Sequence, residues 1–149
     1  FLLNPSPVPR EGVPSELLGL TDYLILNDTE IRRIGLSLGT EDPRQAARRL
    51  VADGLTAVAL TRGAEGCVIV DAAGERCIEP FAVKPVDAVG AGDAFAGALA
   101  AALAEGRPLS EAALLANAAG ALAVTVEGAM PSLPPRVRID ALLRDGNLP

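Results

Sequence analysis

Short apolar runs alternate with amphipathic segments through the first 63 residues, and this alternation limits the fold more than any other feature. The runs at 1–3 and 23–26 (YLIL) end in Asn-Pro or Asn, and a third, LTAVALTRG at 55–63, leads into a glycine turn. The segments between them carry helix signals; in DPRQAARRLVADG (42–54), an Asp-Pro pair suits the start and a Gly the end. Repeated strand–helix–strand units predict an α/β fold with a parallel sheet.

A hairpin is predicted next in the chain. In GCVIVDAAGERCIEPF (66–81), two alternating runs flank Asp71-Ala72-Ala73-Gly74, which is a typical turn composition. The hairpin places Cys67 and Cys77 on neighbouring strands, within geometric reach of a disulfide. We interpret them instead as reduced, small hydrophobic residues of a cytosolic protein.

The remaining sequence predicts three helices: 93–105 ended by Gly106, a run from Ser110 as cap to about residue 125, and 136–145. The most apolar stretches, 94–104 and 112–126, are shorter than the ~20 residues of a membrane span, so we interpret them as buried helices. No linker is long enough to separate two domains, and we predict one domain over residues 1–149.

Composition narrows the classes of function. A formal net charge of −6 argues against nucleic acid and anionic membranes as partners, because both attract positive patches. Two cysteines and no histidine exclude the usual His- or Cys-rich metal sites. The chain starts at Phe1 without a signal-peptide pattern and with a strand-like run, which indicates a fragment entered in mid-fold.

The stretch VDAVGAGDAFAGALAAALAEG (86–106) carries the clearest functional signal. Two glycines before a helix cost backbone entropy, but they let an anion approach the amides of residues 90–93 at the positive end of the helix dipole. A carboxylate in that position is repelled by bound phosphate, so a role as general base for Asp93 fits. The structural alternative is a tight turn with Asp93 as the N-cap.

This stretch resembles the signature of the ribokinase (PfkB-type) sugar kinases, Asp-Thr-x-Gly-Ala-Gly-Asp before an Ala/Gly-rich helix. Further segments are similar to family motifs in the same order: LLNPSPVP (2–9), LNDTE (26–30), LTRGAEG (60–66) and NAAGALAVTVEGAMPSLP (117–134). The resemblance implies a three-layer α/β/α, Rossmann-like ribokinase fold with a mostly parallel sheet and a hairpin. It covers only the later half of a family member, so the amino-terminal half with its sugar-binding strand and lid is absent.

The resemblance also assigns catalytic roles. Asp93 would be the base that deprotonates the sugar hydroxyl, and the amides of Gly90, Ala91, Gly92 and Asp93 would form the anion hole. Asn27 and Glu30 would lie near the phosphates and Mg²⁺, with Glu30 acting through water. Without the family context, Glu30 is better explained as an acidic residue in the first turn of a helix.

The nucleotide site implied by the resemblance comprises a loop and one helical residue: Thr61, Arg62, Gly63, Ala64, Glu65, Gly66 and Asn117. The structural alternatives are an ordinary strand-to-hairpin turn for the loop, a plain surface charge for Arg62 and a hydrogen-bonded core amide for Asn117.

A potassium site is also implied, since many family members are activated by K⁺ bound mainly by backbone carbonyls beside the anion hole. The matching positions are Asp87, Val89, Ala123, Val126, Gly128 and Ser132. Ala88 replaces the usual Thr of the motif and removes one hydroxyl.

These inferences predict the nucleotide-binding half of an ATP-dependent sugar kinase that uses Mg²⁺ and is activated by K⁺. We expect the isolated segment to be inactive and the full-length protein to be a cytoplasmic homodimer with a small sugar as substrate. Two alternatives stay open at this point: a nucleotide-binding or regulatory module without turnover, and a related kinase of a nucleoside or sugar acid.

Overall fold

The computed structural model describes residues 1–145, which divide into two compact units. The first unit comprises residues 1–63 and 67–77, and the second comprises residues 64–66 and the chain from residue 78 onwards. The prediction of a single domain stays a prediction, and the two units are described in turn.

The first unit is built on a five-stranded sheet with the strand order β1-β2-β3-β4-β5. The strands are β1 (Leu2–Leu3), β2 (Tyr23–Asn27), β3 (Ala57–Thr61), β4 (Cys67–Asp71) and β5 (Gly74–Ile78). β1, β2 and β3 run parallel, whereas β4 pairs antiparallel with β3. The two-residue connection between β4 and β5 makes the predicted hairpin. The predicted α/β class, with a parallel sheet that ends in a hairpin, is therefore confirmed.

Three helices connect the parallel strands of this unit: α1 (Ser15–Gly19), α2 (Asp28–Ser37) and α3 (Pro43–Ala52). The start of α3 is as predicted, since the Arg44 amide donates to the Asp42 carboxylate at 2.9 Å and Pro43 occupies the first helical position. Apolar residues of α2, α3 and the strands share one buried cluster, which includes Leu26, Ile31 and Leu50. This cluster packs α2 and α3 against β2 and β3.

The second unit is helical, with α4 (Ala91–Ala104), α5 (Leu109–Ala123), α6 (Ala129–Ser132) and α7 (Arg136–Asp145). Its buried core residues include the alanines Ala94, Ala102, Ala112, Ala116 and Ala119. Small side chains let helix backbones approach closely, and this explains the alanine-rich composition of both long helices.

Ion pairs join α7 to the end of α4. The Arg136 guanidinium of α7 donates to Glu105, just beyond α4, at 2.7 and 3.2 Å, and to Asp140 at 2.9 Å. Arg107 adds a further bond to Glu105 at 3.0 Å. The hydrogen bonds from Arg136 and then Arg107 lower the pKa of Glu105 to about 2.

Two details differ from the sequence-based expectations. Ser110 does not cap α5: the helix begins at Leu109 and its N-cap is Pro108, so Ser110 lies inside the first turn. Helix α4 begins two residues earlier than predicted, at Ala91, because Gly90 takes the capping position. In both cases the backbone conformation of a Pro or Gly fixes the start, rather than a capping side chain.

The two cysteines are both free thiols, so the disulfide that the hairpin prediction made geometrically possible is not formed. Cys67 is buried in β4 and Cys77 is exposed on β5. Burial raises the pKa of the Cys67 thiol to about 12, which makes it unreactive at neutral pH. Among residues 1–145, no helix is both long and apolar enough to cross a bilayer.

Candidate active site

Gly90 fixes the start of helix α4 by a backbone conformation that other residues rarely adopt. Its φ is +83°, in the left-handed region. A Cβ at this position would lie 2.9 Å from both the Ala129 carbonyl oxygen and the Ser132 Oγ. The glycine is therefore required by both conformation and space, and it lets the 86–90 loop pack directly on the segment around α6.

The amides that follow Gly90 form the open end of the helix. The Ala94 amide donates to the Gly90 carbonyl at 2.8 Å, which is the first intrahelical bond, and Ala91 makes only a long 3.3 Å bond to Ala88. The amides of Gly92 and Asp93 belong to the first turn, where no intrahelical acceptor exists. No side chain caps this end of α4. Of the four predicted anion-hole amides, these two are the best placed to donate to an anion.

Asp93 is exposed in the first turn of α4, and its carboxylate makes no hydrogen bond or ion pair within residues 1–145. Because Gly90 is the N-cap, the structural alternative of Asp93 as the capping residue is wrong. The carboxylate lines one part of a groove of about 270 Å³ whose other walls are mostly small or apolar. An exposed, unengaged carboxylate beside unsatisfied amides is the arrangement that a general base at an anion site requires.

Two chain segments, the 86–90 loop and residues 124–132, are hydrogen-bonded to each other beside this helix end. The amides of Val86 and Asp87 both donate to the Val124 carbonyl, at 2.7 and 3.1 Å. The Asp87 carboxylate accepts from the Val89 amide at 3.0 Å and from the Gly128 amide at 2.9 Å. These backbone hydrogen bonds, that from Val89 first, lower the pKa of Asp87.

Four of the six predicted potassium positions therefore meet in one place: Asp87, Val89, Gly128 and Ser132. The buried Ser132 hydroxyl donates to the Ala129 carbonyl at 2.7 Å and, more weakly, to the Val89 carbonyl at 3.4 Å. The other two positions are linked to each other, since the Val126 amide donates to the Ala123 carbonyl at 3.1 Å. The atoms that could coordinate a cation here are carbonyl, carboxylate and hydroxyl oxygens.

In the first unit, Asn27 and Glu30 form a reciprocal capping box at the start of α2. The Glu30 amide donates to the Asn27 side-chain oxygen at 2.9 Å, and the Asn27 amide donates to the Glu30 carboxylate at 2.8 Å. Glu30 is buried. The structural interpretation of Glu30 as a first-turn helix acid is thus correct, and it leaves one carboxylate oxygen for a second role.

The strand register brings Thr61 next to Asn27. The two residues are paired at the carboxyl ends of β3 and β2, the edge at which parallel sheets commonly bind ligands. The Thr61 hydroxyl makes a long 3.4 Å hydrogen bond to the Leu26 carbonyl. After Arg62, which is half-buried, the chain turns through a short 3₁₀ segment, Gly63–Glu65.

Gly66 and Asn117 both lie against the end of β5 and the residues that follow it. A Cβ on Gly66 would be 2.2 Å from the Ile78 carbonyl oxygen, so only glycine fits. The Asn117 amide group donates to the Glu79 carbonyl at 2.8 Å. This confirms Asn117 as a hydrogen-bonded core amide, while its contact with adenosine stays a prediction.

Two residues that support the site were not identified from the sequence. Gly120 of α5 would place a Cβ 3.4 Å from the Ala91 carbonyl oxygen, so it allows α5 to lie close to the start of α4. A glycine inside a helix lowers stability by about 1 kcal/mol relative to Ala, so its presence in the middle of a predicted helix could have indicated a close contact. Ala129 contributes its backbone against Gly90, and no sequence pattern marks such a contact.

Comparisons with known proteins find relatives over most of this chain. Residues 2–136 match the model of the family described as pfkB family carbohydrate kinase. The ribokinase of Haemophilus influenzae is 34% identical over 133 residues, covering 88% of this chain and 44% of the relative. The crystal structure of Thermotoga maritima ribokinase superposes with a TM-score of 0.89 and 33% identity, over 97% of this chain and 48% of that one. Arabidopsis thaliana ribokinase, solved with ribose and ATP, gives a TM-score of 0.81 and 31% identity, over 96% of this chain and 47% of that one.

The predicted ribokinase-type fold is confirmed by these superpositions. The chain spans about half the length of the relatives that it matches.

Proposed function

The chain belongs to the pfkB family of carbohydrate kinases, and we propose that it forms the nucleotide-binding and catalytic-base half of an ATP-dependent sugar kinase. The observation that carries this proposal is the start of α4, where the first-turn amides of Gly92 and Asp93 lack intrahelical acceptors and the Asp93 carboxylate is unengaged. Phosphoryl transfer depends mainly on positioning and electrostatic stabilisation, and this helix end offers both.

In the proposed reaction, Asp93 accepts the proton of an acceptor hydroxyl. The hydroxyl oxygen forms a bond to the γ-phosphorus of ATP, and the bond from that phosphorus to the ADP oxygen breaks. The amides of residues 90–93 donate hydrogen bonds to the transferring phosphoryl group, aided by the helix dipole. The products are ADP and a sugar phosphate, and the proton is held by Asp93 until it is released to solvent.

Nucleotide contacts are proposed for Asn27, for the loop from Thr61 to Gly66, and for Asn117. Asn27 and Thr61 are neighbours at the carboxyl edge of the sheet, and their side chains lie at the ends of β2 and β3. The left-handed glycines Gly63 and Gly66 give the loop a backbone that a phosphate or ribose can approach without a Cβ in between.

Mg²⁺ fits the residues only as an ion held largely by nucleotide oxygens and water. Within residues 1–145, no group of three acidic, Cys or His side chains converges on one point. Glu30 retains one carboxylate oxygen outside the capping box, which suits a contact through water. Mg²⁺ bound with the nucleotide would neutralise charge on the phosphates.

K⁺ fits the oxygen-rich contact of the 86–90 loop with residues 124–132. Asp87, Ser132 and the carbonyls of Val89, Ala123, Val126 and Gly128 would hold it, since carbonyl oxygens have a second lone pair and carboxylates can accept more than two bonds. A bound K⁺ would add positive charge beside a helix end that carries no Lys or Arg in residues 86–93.

The test is ATP consumption by the full-length gene product against pentoses, hexoses, nucleosides and sugar acids, with K⁺ present or replaced by tetramethylammonium. Turnover with one class of sugar, enhanced by K⁺, supports the proposal. Nucleotide binding without turnover of any acceptor would instead indicate a binding or regulatory module. The substrate sugar, the homodimer and the cytoplasmic location stay predictions until then.

A further inference from the structure

We infer that Asp87 is a positioning residue for the anion-binding end of α4, because its carboxylate ties the 86–90 loop to residues 124–132. This inference rests on the proposed function, in which that helix end holds the transferring phosphoryl group. It assigns the Asp87 side chain a role of its own, separate from any contact with a cation.

The hydrogen bonds of Asp87 divide evenly between the two segments. Oδ1 accepts from the Val89 amide at 3.0 Å within the loop, and Oδ2 accepts from the Gly128 amide at 2.9 Å, 41 residues away in the sequence. Hydrogen bonds to a charged acceptor are stronger than neutral ones. One carboxylate therefore closes the loop and fixes it to its neighbour at the same time.

The position of the helix end follows from this link. Gly90 packs on the Ala129 backbone so closely that a Cβ would lie 3.0 Å from the Ala129 Cα. Gly90 is also the N-cap, and its carbonyl accepts the first helical bond from Ala94. The direction of the first-turn amides is thus set by a loop that Asp87 holds in place.

The negative charge of Asp87, considered alone, predicts that its removal strengthens nucleotide binding. Asp87 is a negative charge that lies a few residues before amides proposed to bind phosphate, so its field disfavours the anion. If the side chain acted only through its charge, an uncharged residue would strengthen nucleotide binding. If the Asp87 side chain positions the amides, the same substitution weakens nucleotide binding. The direction of the change in affinity therefore distinguishes the two explanations.

The experiment compares the full-length wild-type protein with its Asp87→Asn variant and with the control Asp53→Asn, which neutralises an exposed carboxylate beyond α3. ATP binding is measured by calorimetry with Mg²⁺, in K⁺ and in tetramethylammonium buffers of equal ionic strength. Amide hydrogen exchange at Ala94 and Gly128 is measured on the same proteins without nucleotide. Asn is isosteric with Asp but places a donor where one of the two amides needs an acceptor.

We expect Asp87→Asn to bind ATP about tenfold more weakly in both buffers, with faster exchange at Ala94 and Gly128 and no change in the control. Tighter binding, a loss confined to K⁺ buffer, or unchanged exchange at Ala94 would overturn the inference. If the full-length wild-type protein binds no ATP, the proposed function fails, and the exchange data alone decide the role of Asp87. If Asp87→Asn does not fold, Asp87→Glu keeps the charge but displaces both carboxylate oxygens from the Val89 and Gly128 amides, so weaker ATP binding and faster exchange at Ala94 are expected, whereas unchanged binding and exchange would overturn the inference.

Discussion

Asn27 and Glu30 each accept a hydrogen bond from the other's backbone amide, at 2.9 and 2.8 Å. Both residues were predicted from the sequence to lie near the phosphates of a nucleotide. The structure shows that they also complete the start of α2, and that Asn27 is paired with Thr61 across the sheet. A residue that holds its own helix end fixed is well placed for binding, because its rotamer is already restricted.

The capping role predicts a loss of stability that is separate from any loss of binding. Asn27→Ala should lower the free energy of unfolding by about 1 kcal/mol, since one first-turn amide of α2 loses its acceptor. Glu30→Gln is the matched control, because Gln can accept the same hydrogen bond and the cap survives. Urea unfolding of the three proteins measures the difference. Equal stability of Asn27→Ala and wild type would contradict the capping role.

Two glycines of the α4 region should respond in opposite ways to the same substitution. Gly90→Ala forces a Cβ into a left-handed backbone position and towards atoms 2.9 Å away, so it should destabilise the chain by about 1–2 kcal/mol or more. Gly97→Ala adds a methyl group in the middle of α4 where no atom lies within 4 Å. It should stabilise the helix by about 0.5–1 kcal/mol. Thermal unfolding tests both, and a stable Gly90→Ala protein would show that the loop does not need this geometry.

The ion pairs around Glu105 predict acid sensitivity. The pKa of Glu105 is lowered to about 2 in the folded chain from an ordinary value near 4.5. Its contribution to stability is therefore fully present above pH 4.5 and is lost as the pH falls towards 2. Because the pairs are exposed, the effect should shrink in high salt.

Glu105→Gln should consequently be less stable than wild type at pH 6 and equally stable near pH 2. Glu127→Gln is the control, since Glu127 is exposed and makes no ion pair within residues 1–145. Urea unfolding at several pH values gives the comparison. A difference between Glu105→Gln and wild type that persists at pH 2 would show that packing, not charge, explains it.

Local signals in the sequence were sufficient for most of the secondary structure. Asp42 and Pro43 start α3, residues 71–74 turn the hairpin, and the last helix spans 136–145 as predicted. Each of these features depends on neighbours within a few residues. Ser110 was misjudged because the preceding Pro108 already sets the backbone direction at the start of α5.

The candidate site was only partly predictable because its contacts join distant parts of the chain. The motif pointed to Gly90 and Asp93, but the link from Asp87 to Gly128 and the contact of Gly90 with Ala129 arise from tertiary packing. Gly66 was predicted as a loop glycine, whereas the carbonyl of Ile78 supplies the physical reason for it. Backbone-to-backbone contacts of this kind leave little trace in residue types.

The central claim is that the start of α4 holds a phosphoryl group while Asp93 removes the proton of the acceptor. The most direct measurement is steady-state turnover and ATP affinity of Asp93→Asn in the full-length protein, with Asp53→Asn as control. The account predicts that turnover falls about 10²- to 10⁴-fold while ATP affinity is unchanged or tighter, because a negative charge beside the phosphates is removed. Turnover near the wild-type value, or a loss that lies entirely in ATP affinity, would contradict it.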